Sequence, residues 1–147
     1  MRTGVVTLTI DSQLDHVFLI GQAINTICAA IPLSEQAAYE AEVSVVEAVN
    51  NVIEHAYGNQ PGHPVEVVVT VGEGNITFQV CDHGVPRKRM RVRLPEVNRR
   101  NPHTLAERGR GLFIMQAFTD QLRYDRDGDR NVLTLVKRLP ETQRRDP

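Results

Sequence analysis

Three short groups of residues in this 147-residue chain have the types and spacing to do chemistry. The first is Glu47 with Asn51, four positions apart in a stretch without Gly or Pro. On a helix, that spacing projects a carboxylate and a carboxamide from one face, about one turn from each other. Their neighbours Val43, Val45, Val46, Val49, Val52, Ile53 and Ala56 are apolar on nearly all sides, so the helix is expected to be deeply buried, where an unpartnered charge is costly. An arbitrary Glu/Asn pair usually faces solvent at a narrow edge or bonds a neighbouring loop, and the other two groups are what argue for a site. Asp82 closes a strand two positions before Gly84; there a carboxylate can accept from a ligand amine while glycine lets backbone come close. The plain alternative is a strand-ending turn. Gly109-Arg110-Gly111 stands directly before a helical pattern, where backbone N–H groups and the positive helix end can receive phosphate; taken alone it reads equally as a flexible loop end.

Other chemistries are poorly served. Neither G-x-x-x-x-G-K-[ST] nor G-x-G-x-x-G occurs, so a bound nucleotide would need a different cradle. Cys81 and His83 do not make a zinc site, the five histidines lack ligand spacing, and no Ser/His/Asp arrangement stands out. Cys28 and Cys81 each sit in an apolar stretch and read as reduced core thiols.

The elements that must position these groups follow from periodicity. Residues 5–10 are β-branched and read as a strand, ending at Asp11-Ser12 as helix N-cap candidates. A helix follows with an apolar stripe of Leu14, Val17, Phe18, Gly21, Ile24, Ile27, Cys28 and Ile31, and Pro32 stops it. Ser34 can cap a second helix, running from Glu35 for about six turns. After a loop, Val65 to Val71 and Ile76 to Val80 alternate about Gly72-Glu73-Gly74-Asn75, a hairpin ending at Asp82. Residues 83–110 show no sustained period, as expected of a functional lid. A helix over 111–122 and a hairpin over 123–139, turning at Asp127-Gly128, complete the pattern. The order predicts an α+β sandwich, a mixed and mostly antiparallel sheet with helices on one face. Residues 1–140 form one domain and 141–147 a polar tail.

Charge is distributed unevenly. Residues 1–86 carry a net −9, residues 87–110 a net +7 and residues 111–147 a net +1, so an overall −1 hides a basic island. Phe, Tyr and Trp are absent from 87–110, leaving no stacking platform, and direct nucleic-acid binding is not expected. No apolar run approaches the roughly 18 residues that would span a bilayer, and the N-terminus is unlike a signal peptide, so a cytoplasmic protein is expected.

In order, Glu47-Ala-Val-Asn-Asn51-Val-Ile-Glu-His55-Ala-Tyr57, Val80-Cys-Asp82-His-Gly84-Val-Pro86 and Gly109-Arg-Gly111-Leu-Phe-Ile-Met115, with Asp120 beyond, closely resemble the anti-sigma-factor serine kinase family. These are small single-domain members of the Bergerat-type, or GHKL, ATPase superfamily, which includes histidine kinases, gyrase B and Hsp90. The resemblance spans about residues 5–139. It implies a two-layer Bergerat ATP-binding fold in which 83–110 is the ATP lid. It further implies ATP and Mg2+ as cofactors, with Asn51 as magnesium ligand and Glu47 as general base toward a serine hydroxyl. Asp82 would accept from the adenine amino group and Gly84 would let the base come close. Gly109 and Gly111 would close on the phosphates, Arg108 and Arg110 would offer charge, and Thr134 would assist through water near Asp82. Partners implied are a sigma factor or equivalent regulator, an antagonist protein and a second copy of the chain. Two departures stand out: Pro86-Arg-Lys-Arg where many relatives have Phe-Asp-Pro after the same position, and Arg108-Gly-Arg-Gly111 where they often have Gly-Gly-x-Gly. The altered lid leaves open a different class of function, a nucleotide-dependent binding module that captures a partner without useful kinase turnover.

Overall fold

The computed structural model of the chain describes residues 2–87 and 107–140. Residues 88–106, most of the expected lid, and the expected tail 141–147 lie outside the described residues.

Strand β1 (Gly4–Asp11) leads through a short 3-10 turn (Leu14–His16) into α1 (Val17–Ala29). Helix α2 (Glu35–Asn51) continues into a π-helical turn, Val52–Ala56. Strands β2 (Pro64–Val71) and β3 (Asn75–Asp82) form the first hairpin. Helix α3 (Glu107–Phe118), β4 (Gln121–Asp127) and β5 (Arg130–Arg138) follow. The sheet order is β1-β2-β3-β5-β4, and each of these pairings is antiparallel. The expected mixture is therefore corrected to an antiparallel sheet among the described residues. The crossover from β3 to β4 does lay these two strands in the same direction, but β5 turns back and inserts between them.

Alternation selects the face that is buried. Val65, Val67, Val69, Ile76, Phe78, Val80, Leu133 and Leu135 point toward the helices and are buried, as are Ile20, Ile24, Val45, Val49, Ile53 and Met115 from the helical layer. Helix α2 lies between α1 and α3 across this core. Gly21 lets α1 and α2 approach, since a Cβ there would stand 3.3 Å from Val46 Cγ2. Ser34 caps α2 as its type suggests, accepting from the Ala37 N–H at 3.0 Å.

Three local expectations change. Asp11 and Ser12 do not cap α1: Asp11 Oδ1 accepts from the Gly62 N–H, while Ser12 Oγ donates to the Gln60 carbonyl and accepts from the His63 N–H. Both side chains tie the loop before β2 to the end of β1, a long-range demand that outweighs local capping. In α1 the buried side is Val17, Ile20, Gly21, Ile24 and Cys28, whereas Leu14 and Phe18 are exposed, Phe18 at 64%. Finally, the last helix begins and ends earlier than its apolar spacing suggests. Its end is set by β pairing: the Asp120 N–H donates to the Val136 carbonyl, and Asp120 Oδ2 accepts from the Arg138 N–H at 2.7 Å. Lys137 Nζ donates to the Phe118 carbonyl and lies 3.6 Å from Glu40 Oε1, placing a largely buried cation at the helix C-terminus.

Candidate functional site

Ala48 and Asn51 of the buried helix α2, with Val52 of the π-helical turn, line one side of a cleft of about 400 Å³, counting the space open to solvent. Ala56, Asp82, Val85, Arg87, Leu112, Met115, Tyr124 and Leu133 complete the described lining. The walls are mostly apolar, and the polar groups stand at distinct places.

At one place Asp82 ends β3 and is only 4% exposed. Its Oδ1 accepts from the Gly84 N–H at 2.9 Å and from Asn131 Nδ2 at 2.8 Å. Among the described residues Oδ2 makes no such bond, which leaves an acceptor for a ligand amine. Asn131 is directly opposite Asp82 in the β3–β5 register, and it also donates to the Gly84 carbonyl at 3.1 Å. Gly84 itself presses on the π-helical turn. A Cβ at that position would fall within contact-forbidden distance of the Ala56 carbonyl oxygen, carbonyl carbon and Cβ, and the next residue, Val85, donates its N–H to the Ala56 carbonyl at 2.9 Å. In the π-helical turn the Tyr57 N–H bonds the Val52 carbonyl, one residue further back than in an α-helix. The Ala56 carbonyl accepts from Val85, directly after the Asp82-x-Gly84 segment.

Tyr57 accounts for the His-Ala-Tyr end of the helix motif. Its hydroxyl accepts from the His83 N–H at 2.9 Å and donates to the Pro64 carbonyl at 2.8 Å, joining the end of β3 to the start of β2. Its ring stacks on His63 with centroids 4.7 Å apart. Burial raises the phenol above its ordinary value, so it stays a neutral donor.

At the other place, Glu47 and Asn51 lie under Gly111. A Cβ on Gly111 would stand 3.0 Å from Glu47 Oε2 and 3.1 Å from Asn51 Nδ2. The helix spacing and the glycine therefore meet in space: α3 packs across α2 at the carboxylate–carboxamide pair. This cradle, lined by carboxylate and carboxamide oxygens and closed by a residue without a side chain, fits a hard cation with phosphate, since magnesium takes few protein ligands. Among the described residues no group of three or more His, Cys, Asp or Glu could hold a metal ion alone.

Glu47, Asn51, Asp82, Gly84 and Gly111 are thus gathered along one side of α2. Gly109 and Gly111 are inside α3 by backbone, rather than in a loop before it. The side-chain roles expected of Arg108 and Arg110 lie outside the described residues. Thr134 is corrected. It sits between Leu133 and Leu135, whose side chains face the helices, so the pleat turns it to the opposite face of the sheet, among Thr77, Gln79, Gln121 and Arg123. Asn131, three residues earlier, is the β5 side chain that reaches Asp82. Sequence reasoning missed it because only strand register makes the two neighbours. It also missed Tyr124, which lines the cleft from β4 and whose hydroxyl accepts from the Arg87 N–H at 3.1 Å. Cys81, beside the site in sequence, faces away from it. It contacts Arg130 Nη2 at 3.1 Å, and burial raises its thiol.

Comparison with known proteins agrees with this geometry. The chain matches the family described as histidine kinase-like ATPase domain over residues 10–137. It is 24% identical over 99 residues to an anti-sigma F factor from Clostridium beijerinckii, covering 67% of this chain and 68% of that protein. Its fold is similar to a crystal structure of the RsbU and RsbW domains of a Mycobacterium tuberculosis protein, with a TM-score of 0.66 and 17% identity over 92% of this chain. The chain spans 32% of that longer one.

Proposed function

The chain belongs to the histidine kinase-like ATPase domain family, and from that premise we propose that it is an ATP-dependent protein-serine kinase and anti-sigma factor of a partner-switching pathway. The observation that carries this reading is the meeting of Glu47, Asn51 and Gly111 along the same helix that borders the Asp82 cleft. The similarity to an anti-sigma F factor supports the choice of partner class.

In this reading Asp82 Oδ2 accepts a hydrogen bond from the adenine amino group, and Gly84 brings the backbone close to the base. The Asn51 carboxamide oxygen holds Mg2+, which supplies charge neutralisation for the phosphates when bound. Glu47 accepts the proton of a serine hydroxyl as its oxygen bonds the γ-phosphorus and ADP departs. Gly111 leaves room for phosphate against α2, Gly109 supplies backbone, and Arg108 and Arg110 supply positive charge for the transferred group. Residues 83–110 act as the ATP lid. The acceptor is a serine on an antagonist protein, and the alternative partner is a sigma factor or equivalent regulator, in the cytoplasm. No helix among the described residues is long and apolar enough to cross a membrane. A homodimer is part of the proposal: Val5 and Val6 on the edge strand β1, with Phe18 and Leu19 on α1, are exposed apolar side chains suited to a second copy.

The test is transfer from labelled Mg-ATP to a candidate antagonist. Glu47→Gln should retain nucleotide and lose transfer by roughly a hundredfold or more. Undiminished transfer would refute the base assignment. A stable complex without phosphoprotein from the wild type would favour the alternative, a nucleotide-dependent binding module, which the Pro86-Arg-Lys-Arg departure motivates.

A further inference from the structure

Every backbone N–H between His83 and Arg87 has a hydrogen-bond acceptor. His83 donates to the Tyr57 hydroxyl, Gly84 to Asp82 Oδ1 and Val85 to the Ala56 carbonyl, each at 2.9 Å. Pro86 has no N–H, and its ring fixes φ between Val85 and Arg87. Arg87 donates to the Tyr124 hydroxyl at 3.1 Å. The first three acceptors belong to β3 and the end of the α2 segment. The fourth comes from across the cleft, from β4 at the far edge of the sheet. Tyr124 stands opposite Leu133 on the helix-facing side, and its ring lines the same cleft as Val85 and Arg87. Arg87 is the one cationic residue in the described lining.

We propose that Tyr124 is a positioning residue for the bound nucleotide: by holding the Arg87 amide, its hydroxyl fixes the cleft wall made by Val85 and Arg87 and keeps the Arg87 guanidinium at the ligand. This rests on the reading of the cleft as a nucleotide site. The ring alone would serve as an apolar wall, and phenylalanine would serve equally well. The hydroxyl is engaged on a single amide, at the last anchored residue of the run. A guanidinium held there adds a charge-assisted contact that is lost when the run swings away.

Tyr124→Phe keeps the ring and removes the acceptor, and three readouts test it. Amide hydrogen exchange at Arg87 in the nucleotide-free protein should quicken by about tenfold, as expected for loss of one hydrogen bond. Dissociation of a fluorescent ADP analogue, followed by stopped flow, should quicken about fivefold, again on the scale of one hydrogen bond. The thermal midpoint should stay within a few degrees of wild type, on the order of one bond in a domain of this size. Arg87→Ala should leave exchange at position 87 protected yet quicken dissociation by a similar factor. If Tyr124 acts through Arg87, the double variant dissociates no faster than Arg87→Ala alone. Unchanged exchange at Arg87 in Tyr124→Phe overturns the proposal, as does an unchanged dissociation rate or a multiplicative double variant. Failure of the wild type to bind any adenine nucleotide would overturn the cleft assignment itself. The exchange measurement, made without nucleotide, separates that failure from failure of the hydroxyl contact.

Discussion

Replacing Gly84 by alanine adds one carbon at a place where the structure leaves no room. The built Cβ would contact the Ala56 carbonyl oxygen, lie 2.7 Å from the Ala56 carbonyl carbon and 2.9 Å from its Cβ. Two of those atoms are backbone of the π-helical turn, so no side-chain rotation relieves the overlap. The Gly84 φ is outside the left-handed region, and the requirement is therefore for space and not for conformation. Overpacking of a tight site costs about 1–3 kcal/mol. Pushing the segment off the turn also weakens the Val85-to-Ala56 hydrogen bond, a further loss of about 1 kcal/mol. The expected destabilisation is roughly 2–4 kcal/mol, or about 6–12 °C in midpoint for a domain of this size. Gly74→Ala is the matched control. It meets nothing within 4 Å and has no positive φ, and should change stability by less than about 0.5 kcal/mol. Urea denaturation followed by circular dichroism measures both, and calorimetric titration with ADP measures the site. Displacement of Gly84 also moves Asp82, whose Oδ1 accepts the Gly84 N–H. ADP affinity should therefore fall by at least about tenfold in Gly84→Ala. Equal stabilities for the two glycine variants would refute the steric argument, and unchanged ADP affinity would refute the link from the π-helical turn to Asp82.

Tyr57→Phe removes one hydroxyl and leaves the His83 N–H and the Pro64 carbonyl without their partner; a loss of about 1–3 kcal/mol by urea denaturation is expected. Asp82→Asn places a donor-bearing amide where an adenine amine needs an acceptor, and should lower ATP affinity by about tenfold or more in the same titration. The Cys28 thiol gives a pH signature. Burial pushes it from 9.0 to about 11, so the folded chain keeps a proton that the unfolded chain releases. Its contribution is full below pH 9 and declines as pH rises toward 11. Stability measured across that window should fall less steeply in Cys28→Ala than in wild type.

Much of this architecture is legible in residue order. The alternation of Val65 to Val71 and Ile76 to Val80, and the glycine-containing turn between them, specify the β2–β3 hairpin, because side chains on a strand must alternate between core and solvent. The Ser34 cap follows from a local hydrogen bond. The four-residue spacing of Glu47 and Asn51 is likewise decided within one helix turn. Legibility failed where a distant partner competed with a local preference. Asp11 and Ser12 are good caps by type, yet they bond a loop some fifty residues away. Phe18 sits within the periodic stripe of α1, but the position of α2 decides which flank of that stripe is covered, and Phe18 falls on the open side.

For the site, the sequence by itself determined the chemical inventory: a carboxylate and carboxamide one turn apart, a carboxylate two residues before glycine, and glycines where α3 begins. These depend on short-range spacing, which covalent geometry converts directly into relative position. Only the tertiary structure decided their relations. Register placed Asn131 opposite Asp82 and turned Thr134 to the other face. Helix packing brought Gly111 onto Glu47 and Asn51, and the edge strand supplied Tyr124 to the cleft. Such relations join residues tens of positions apart, and their distances depend on how whole elements dock. No local spacing rule carries that information.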